Sequence, residues 1–167
     1  EITDRLGWLT VTGVMRQEIP RLESFAHEIR HAGFQHVVLL GMGGSSLGPE
    51  VLRASFGSRS GYPQLIVLDS TVPACVQAVT DVIDPAATLF LVSSKSGTTI
   101  EPISLFHYFR SQVVSAVGEG KAGRNFVAIT DPATPLARLA EQEQFRHAFL
   151  NPPDIGGRYS VLSYFGL

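Results

Sequence analysis

The sequence has little cysteine and little net charge, and each shortage narrows the class of protein. Cys75 is the one cysteine among 167 residues, so no disulfide forms within this chain and a reducing cytosol is expected. We expect Cys75 to pack within a helix, because no basic residue stands near it in the sequence to activate its thiol. The net charge is −2 without a long run of either sign, so we expect no nucleic-acid partner.

Long apolar stretches are also missing. The apolar stretches are too short to cross a bilayer, and no signal-peptide pattern opens the chain, so we expect a cytoplasmic protein without a membrane contact. Apolar residues make up 44% and charged residues 17% of the chain, which is typical of a globular domain. Because the chain starts at Glu1 and ends at Leu167 inside an apolar segment, we expect it to be a piece of a longer protein.

Short apolar segments alternate with helical patterns along the chain. Segments that are apolar almost throughout are typical of strands buried on both faces, as in a parallel sheet. The predicted strands are 36–40, 64–69, 88–93, 125–130 and 148–151, and the predicted helices are 18–31, 49–56, 72–82, 100–117 and 135–142. This alternation predicts an α/β fold, a three-layer doubly wound sandwich with a mostly parallel five-stranded sheet and helices on both faces. In such a sheet a ligand binds beyond the carboxyl ends of the strands.

The first loop at a predicted strand end is "GMGGSSLG", residues 41–48, which we call the glycine turn. Its glycines let backbone N–H groups face a ligand, and the helix predicted from Pro49 offers the positive end of its dipole to an anion. The turn is not a dinucleotide fingerprint, which needs glycine at Ser46, and it lacks the Lys-Ser/Thr of a Walker loop. Taken alone, it fits a tight strand-to-helix turn equally well.

The second loop is "SSKSGTT", residues 93–99, which we call the hydroxyl loop. Five of its seven residues carry hydroxyl groups, and Lys95 and Gly97 complete it ahead of the longest predicted helix. Several neutral donors, a helix N-terminus and one cation are what a phosphate group needs. A simple helix cap needs one hydroxyl group, so the composition favours an anion site over a polar turn.

The third loop is "GGRYS", residues 156–160, which we call the arginine segment. Arg158 follows two glycines and precedes "VLSYFGL", which predicts the start of an apolar helix. Its guanidinium can reach the same crevice as the other two loops. The alternative is a surface arginine at a helix start, but a cation is disfavoured there unless an anion compensates it.

Together the three loops resemble the phosphoglucose isomerase family. Its sugar-isomerase (SIS) subdomain carries the segments G-x-G-G-S-x-L-G-P, S-K-[ST]-x-T-T-x-E and G-G-R-[FY]-S in this order, and here they read "GMGGSSLGP", "SKSGTTIE" and "GGRYS". The spelling is most like that of bacterial members, including the isomerase part of transaldolase/phosphoglucose isomerase fusions. The resemblance covers nearly the whole chain and implies a single SIS-type domain over 1–167, the N-terminal half of a longer enzyme.

The resemblance also implies roles for individual residues. Gly44 and Ser45 would contact the sugar phosphate, Arg158 would stabilise the enediolate oxygen, and Glu101 would support the loop. Many members have threonine after that glutamate, where this chain has Pro102, so one hydroxyl group is lost. The phosphate group would be held by six residues of the hydroxyl loop: Ser94, Lys95, Ser96, Gly97, Thr98 and Thr99.

The family interconverts glucose 6-phosphate and fructose 6-phosphate by moving a proton from C2 to C1, which needs a carboxylate base and a cation. By the resemblance, the base glutamate, the ring-opening histidine and a late lysine lie beyond this chain. We therefore expect it to bind a sugar phosphate weakly and not to isomerise it. No cofactor or metal is implied, and the full-length protein is expected to be a homodimer. The sequence leaves open which sugar is bound and whether the longer protein is a free isomerase or a transaldolase fusion.

Three other interpretations compete with this one. SIS domains also serve as phosphosugar sensors in regulators, although Arg158 favours the isomerase because a sensor needs no enediolate partner. Asp69, at the end of a predicted strand, is the position of a ribose-binding acid in a nucleotide domain, but the failed glycine pattern favours a loop or helix-capping role. "HEIRH", residues 27–31, matches the zinc-protease pattern H-E-x-x-H.

The zinc interpretation is weakened by the helix that would carry it. His27 and His31 fall opposite the apolar side of the predicted helix 18–31, so we expect both to face solvent. The apolar side is defined by Leu22, Phe25, Ala26 and Ile29. Ile19 is a further apolar residue of this helix, and Gly33 closes it.

Overall fold

The computed structural model describes residues 5–167 and contains one five-stranded sheet in the order β2-β1-β3-β4-β5. All four strand pairs are parallel, so the predicted fold class is confirmed. The strands are β1 (His36–Gly41), β2 (Gln64–Leu68), β3 (Thr88–Ser93), β4 (Phe126–Thr130) and β5 (His147–Leu150). Each lies within one residue of its predicted bounds, because burial on both faces leaves an unbroken apolar segment in the sequence.

Six α-helices lie among the described residues. They are α1 (Val11–His31), α2 (Leu47–Phe56), α3 (Pro73–Thr80), α4 (Ile100–Val117), α5 (Glu119–Ala122) and α6 (Pro135–Gln142). Single 3-10 turns include Gly43–Ser45 and Gly157–Leu162. The helices α4 and α6 match their predicted bounds, whereas the short α5 was not predicted.

The sheet separates two apolar clusters. On one face α3, α4 and α6 pack on alternate strand residues such as Val38 and Phe90. On the other face α1 and the last residues of the chain pack on the intervening residues, such as Val37 and Leu89. The helix α2 lies on this second face, where it lines an apolar cavity of about 510 Å³ together with α1. Helices therefore cover both faces, as predicted.

The helix α1 begins at Val11, well before the predicted start at residue 18, and it runs through Pro20. Pro20 removes one backbone hydrogen bond inside the helix, and α1 accommodates that loss. The earlier residues are helical because they bury apolar surface: Val11 is 2% and Met15 is 3% exposed. Ile19, one of the apolar side chains of the predicted helix, is 45% exposed.

The last residues form a 3-10 turn and a tight fold-back instead of the predicted apolar helix. The Ser160 hydroxyl donates to the Gly157 carbonyl over 2.7 Å, and the Ser163 hydroxyl donates to the Ser160 carbonyl over 2.6 Å. These local bonds compete with α-helical geometry. Tyr164 then ties the segment to α1, because its hydroxyl donates to Glu18 over 2.6 Å. Burial, and then this bond, raise the pKa of Tyr164 to about 12.

The exposure of three helical side chains can be compared with the predictions made for them. Cys75 is exposed, so the packing predicted for it is wrong; α3 buries only Val79 fully. His27 and His31 are both exposed, as predicted. Within residues 5–167 there is no group of three or more His, Cys, Asp or Glu side chains that could hold a metal ion, and no helix long and apolar enough to cross a membrane.

Burial of Met15 predicts a measurable cost for its removal. We expect Met15→Ala to lower the free energy of unfolding by about 2–5 kcal/mol, because a filled core position becomes a cavity. The matched control is Val14→Ala, one residue away on the exposed side of α1, which we expect to change stability by less than about 0.5 kcal/mol. Urea unfolding followed by circular dichroism measures both, and equal effects would contradict the burial of Met15 in the core.

Candidate anion-binding site

The crevice at the carboxyl edge of the sheet lies between β1 and β3. The order β2-β1-β3 means that the chain leaves β1 toward one side of the sheet and leaves β3 toward the other. The helices that follow, α2 and α4, pack on opposite faces of the sheet, so β1 and β3 flank its switch point. In open α/β sheets this switch point is where ligands bind.

The glycine turn and the hydroxyl loop lie side by side at this point. Gly41 pairs with Ser93 at the ends of β1 and β3. The Ser93 hydroxyl donates to the Ser45 carbonyl over 3.3 Å, which links the two loops directly. The structure therefore brings together two of the three loops identified in the sequence.

The glycine turn is a compact 3-10 turn, Gly43–Ser45, followed by α2 two residues earlier than predicted. Gly43 has a φ of +53°, a conformation that favours glycine. The Ser46 hydroxyl donates back to the Gly43 carbonyl over 3.3 Å. The Ser45 hydroxyl forms no hydrogen bond with any described residue, so it is available to a ligand.

The arginine segment packs directly on the glycine turn. A Cβ atom on Gly44 would lie 2.2 Å from the Gly157 carbonyl oxygen, so only glycine allows this backbone approach. The Ser160 hydroxyl lies 3.5 Å from the Gly44 carbonyl oxygen. The third loop is thus held beside the first, and through it beside the switch point.

Arg158 itself is exposed on this segment. Its side chain forms no hydrogen bond or ion pair with residues 5–167, whereas the ring of the next residue, Tyr159, stacks on Trp8 with centroids 5.5 Å apart. Arg158 lies in a 3-10 turn and not ahead of an α-helix, so the predicted conflict with a helix dipole does not arise.

The hydroxyl loop is ordered by its own side chains. The Ser94 hydroxyl donates to the Thr99 hydroxyl over 3.0 Å, and the Ser96 and Thr98 hydroxyls lie 2.9 Å apart. Gly97 has a φ of +67°, and a Cβ atom there would lie 2.7 Å from the Thr134 Cβ. Glycine is therefore required at the point where the loop turns under the start of α6.

Several backbone donors of the hydroxyl loop remain available. Within the described chain, the amides of Lys95, Ser96 and Thr99 donate to no protein acceptor. The first turn of α4 adds further N–H groups and the positive end of the helix dipole. Neutral N–H and O–H donors at a helix N-terminus are suited to an anion such as phosphate.

Glu101 lies half-buried in the first turn of α4, where a carboxylate interacts favourably with the helix dipole. Its side chain forms no hydrogen bond to the hydroxyl loop or to any other described residue. Glu101 therefore interacts with the dipole of α4, but it forms no hydrogen bond through which its side chain would support the hydroxyl loop.

Lys95 is the one cation of the loop, and its ammonium group pairs with the Asp131 carboxylate. Sequence reasoning missed Asp131, although it follows β4 directly and so ends at the same edge of the sheet. The neighbouring loop after β2 contributes less: Asp69 is exposed and caps no helix, since α3 starts after Val72 without a side-chain cap. That leaves Asp69 with a loop role, one of the two expected.

The fold and these loops define an α/β protein with an open parallel sheet. Hydrogen-bond donors suited to an anion lie at the switch point of this sheet. The chain belongs to the phosphoglucose isomerase family, because a sequence profile described as phosphoglucose isomerase matches residues 11–167. The three loops that carried the resemblance all lie within the matched range.

Individual relatives agree with this assignment. The chain is 32% identical to the glucose-6-phosphate isomerase of Staphylococcus haemolyticus over 99% of its own length and 38% of the relative's length. The Rubrobacter xylanophilus glucose-6-phosphate isomerase is 33% identical, with 91% of this chain and 37% of the relative covered. The chain thus spans well under half the length of the curated relatives it matches.

Solved structures show the same fold. A hypothetical protein from Thermus thermophilus superposes with a TM-score of 0.83 at 34% identity, covering 98% of this chain and 38% of that chain. A glucose-6-phosphate isomerase from Chlamydia trachomatis gives a TM-score of 0.79 at 31% identity, covering 90% of this chain and 28% of that chain. The Vibrio vulnificus NanR protein complexed with ManNAc-6P, 18% identical with a TM-score of 0.53, shares the fold alone; the match covers 95% of this chain and 55% of that chain.

The contact between Gly44 and Gly157 predicts an asymmetric pair of variants. We expect Gly44→Ala to lower the free energy of unfolding by about 1–3 kcal/mol, because the new methyl group meets a carbonyl oxygen that must move. Gly157→Ala is the control, since its Cβ atom would meet nothing within 4 Å, and we expect a change of at most about 1 kcal/mol. Urea denaturation of both variants measures the difference, and a silent Gly44→Ala would rule out the close approach.

Proposed function

We propose that this chain is a SIS-type sugar-phosphate-binding domain of a glucose-6-phosphate isomerase. The observation that carries the proposal is the position of the glycine turn and the hydroxyl loop on either side of the switch point between β1 and β3. Family membership adds the substrate class, since the curated relatives are glucose-6-phosphate isomerases.

In this proposal the phosphate group binds the hydroxyl loop through backbone amides and the hydroxyl groups of Ser94, Ser96, Thr98 and Thr99. The free hydroxyl of Ser45 and the backbone at Gly44 contact the same sugar phosphate from the other side. Arg158, exposed beside the glycine turn, stabilises the enediolate oxygen as charge develops during proton transfer. The base that moves the proton from C2 to C1 comes from another part of the longer protein.

A phosphosugar sensor of a regulator is the alternative function. The match to NanR supports no more than a common fold at 18% identity, whereas the two curated relatives at 32% and 33% identity are glucose-6-phosphate isomerases. Arg158 also favours the isomerase, because recognition without chemistry needs no partner for an enediolate. We further propose that the whole protein acts in the cytoplasm as a homodimer, in glycolysis and gluconeogenesis.

Binding is tested by titrating the ¹⁵N-labelled chain with fructose 6-phosphate. We expect chemical-shift changes concentrated in residues 94–99 and at Ser45, because these carry the free donors, and no comparable response to fructose. We expect Ser96→Ala to weaken binding about tenfold, the effect of removing one hydrogen bond to a charged group.

Thr71→Ala is the matched control for that substitution. Thr71 is exposed in the loop after β2, at the same edge of the sheet, and its hydroxyl forms no hydrogen bond with any described residue. We expect its affinity for fructose 6-phosphate to equal that of the unsubstituted chain. Shifts that avoid residues 94–99, or equal losses in both variants, would overturn the proposed site.

Catalysis is tested separately by a coupled assay that reports glucose 6-phosphate formed from fructose 6-phosphate. We expect no turnover by the 167-residue chain, because the proposal assigns the general base to another part of the protein. Turnover by the purified chain that is abolished by Arg158→Ala would show that these residues suffice for the reaction and would contradict that assignment.

A further inference from the structure

The turn between β4 and α6 is bonded to the start of the hydroxyl loop. The proposed function assigns this turn no role. The Asp131 amide donates to the Lys95 carbonyl over 3.2 Å, and the Thr130 hydroxyl lies 3.4 Å from the same oxygen. The Lys95 ammonium pairs with the Asp131 carboxylate. Lys95 is therefore held at its main chain and at the end of its side chain by two consecutive residues.

The ion pair is sheltered from solvent. The side chains of Lys95 and Asp131 are 21% and 16% exposed, so the pair is screened less than a surface pair. The other carboxylate oxygen, Asp131 Oδ1, is buried and has no hydrogen-bond partner among the described residues. Because that oxygen is buried and the other is paired with Lys95, the carboxylate is placed to act on Lys95 and not on a bound molecule.

The pairing also changes what Lys95 offers to an anion. An ammonium group and a carboxylate that are paired form a dipole. The pair has a net charge of zero, so it attracts a neighbouring anion less than a free ammonium group does. The available donors of the loop are instead the amides of Lys95, Ser96 and Thr99, whose positions depend on how the main chain is held.

We propose that Asp131 is a positioning residue of the hydroxyl loop, and that Lys95 acts through its ion pair with Asp131 and not by donating to the phosphate group. The inference rests on the proposed function, and it assigns the affinity of the site to neutral donors whose geometry the ion pair fixes. Asp131 contacts no reacting atom in this account.

The test is a double-mutant cycle in the full 167-residue chain, with fructose 6-phosphate as the probe. We expect Lys95→Met and Asp131→Asn each to weaken binding by about tenfold, and the double variant to bind no more weakly than either single variant, because all three lose the same contact. We expect Lys95→Met to leave the salt dependence of the dissociation constant unchanged, because its ammonium makes no contact with the anion.

Two controls separate this role from a general loss of structure. Asp81→Asn removes one negative charge from an exposed position after α3, at the opposite edge of the sheet, and should bind like the unsubstituted chain. In the free protein, Asp131→Asn and Lys95→Met should shift the amide resonances of residues 94–99 in the same direction. The other resonances of both variants should remain those of a folded chain.

Each other outcome overturns the inference. Tighter binding by Asp131→Asn would mean that the carboxylate competes with the anion for Lys95, and additive losses would mean that the two residues act independently. An unchanged affinity in Asp131→Asn, while the unsubstituted chain binds, would refute the positioning role alone. A chain that does not bind fructose 6-phosphate at all would refute the proposed function, and the positioning role with it.

Discussion

The parallel pairing of β1 with β3 is the constraint on which the candidate site depends. Two loops that are far apart in the sequence meet only because Gly41 and Ser93 end adjacent strands in register. Their helices, α2 and α4, pack on opposite faces of the sheet. The same backbone amides on a sheet without this reversal would be covered by a neighbouring helix, and the donors of the hydroxyl loop would have no access to a ligand.

The glycines of the site are explained by packing before any ligand is considered. Gly44 is required by the carbonyl of Gly157, and Gly97 by the side chain of Thr134. Each contact ties a loop at one strand end to a distant segment of the chain. Loops that are held in this way lose little conformational entropy when a ligand binds, so the close packing also prepares the donors for an anion.

The sequence predicted the strands and the loops at their carboxyl ends, and it failed where contacts between distant residues override local signals. Apolar segments revealed the buried strands, and hydroxyl composition revealed the loop after β3. The start of α1 was missed because the burial of Met15 depends on residues at the far end of the chain, which no local pattern reports. Asp131 was missed for a related reason: its partner lies 36 residues away, and their contact follows from the adjacency of β3 and β4.

The ion pair also explains why a loop with a lysine needs so many hydroxyl groups. A free ammonium group would attract a phosphate dianion strongly but without fixing its orientation, since its field is nearly isotropic. Amides and hydroxyl groups are directional, and those that a ligand finds free here have positions set by the Gly97 turn and the Lys95–Asp131 pair. In the proposed function, a site of this kind would hold the phosphate group in one orientation. Proton transfer between C2 and C1 of the same sugar would require this, because small displacements of the reacting carbons cost large factors in rate.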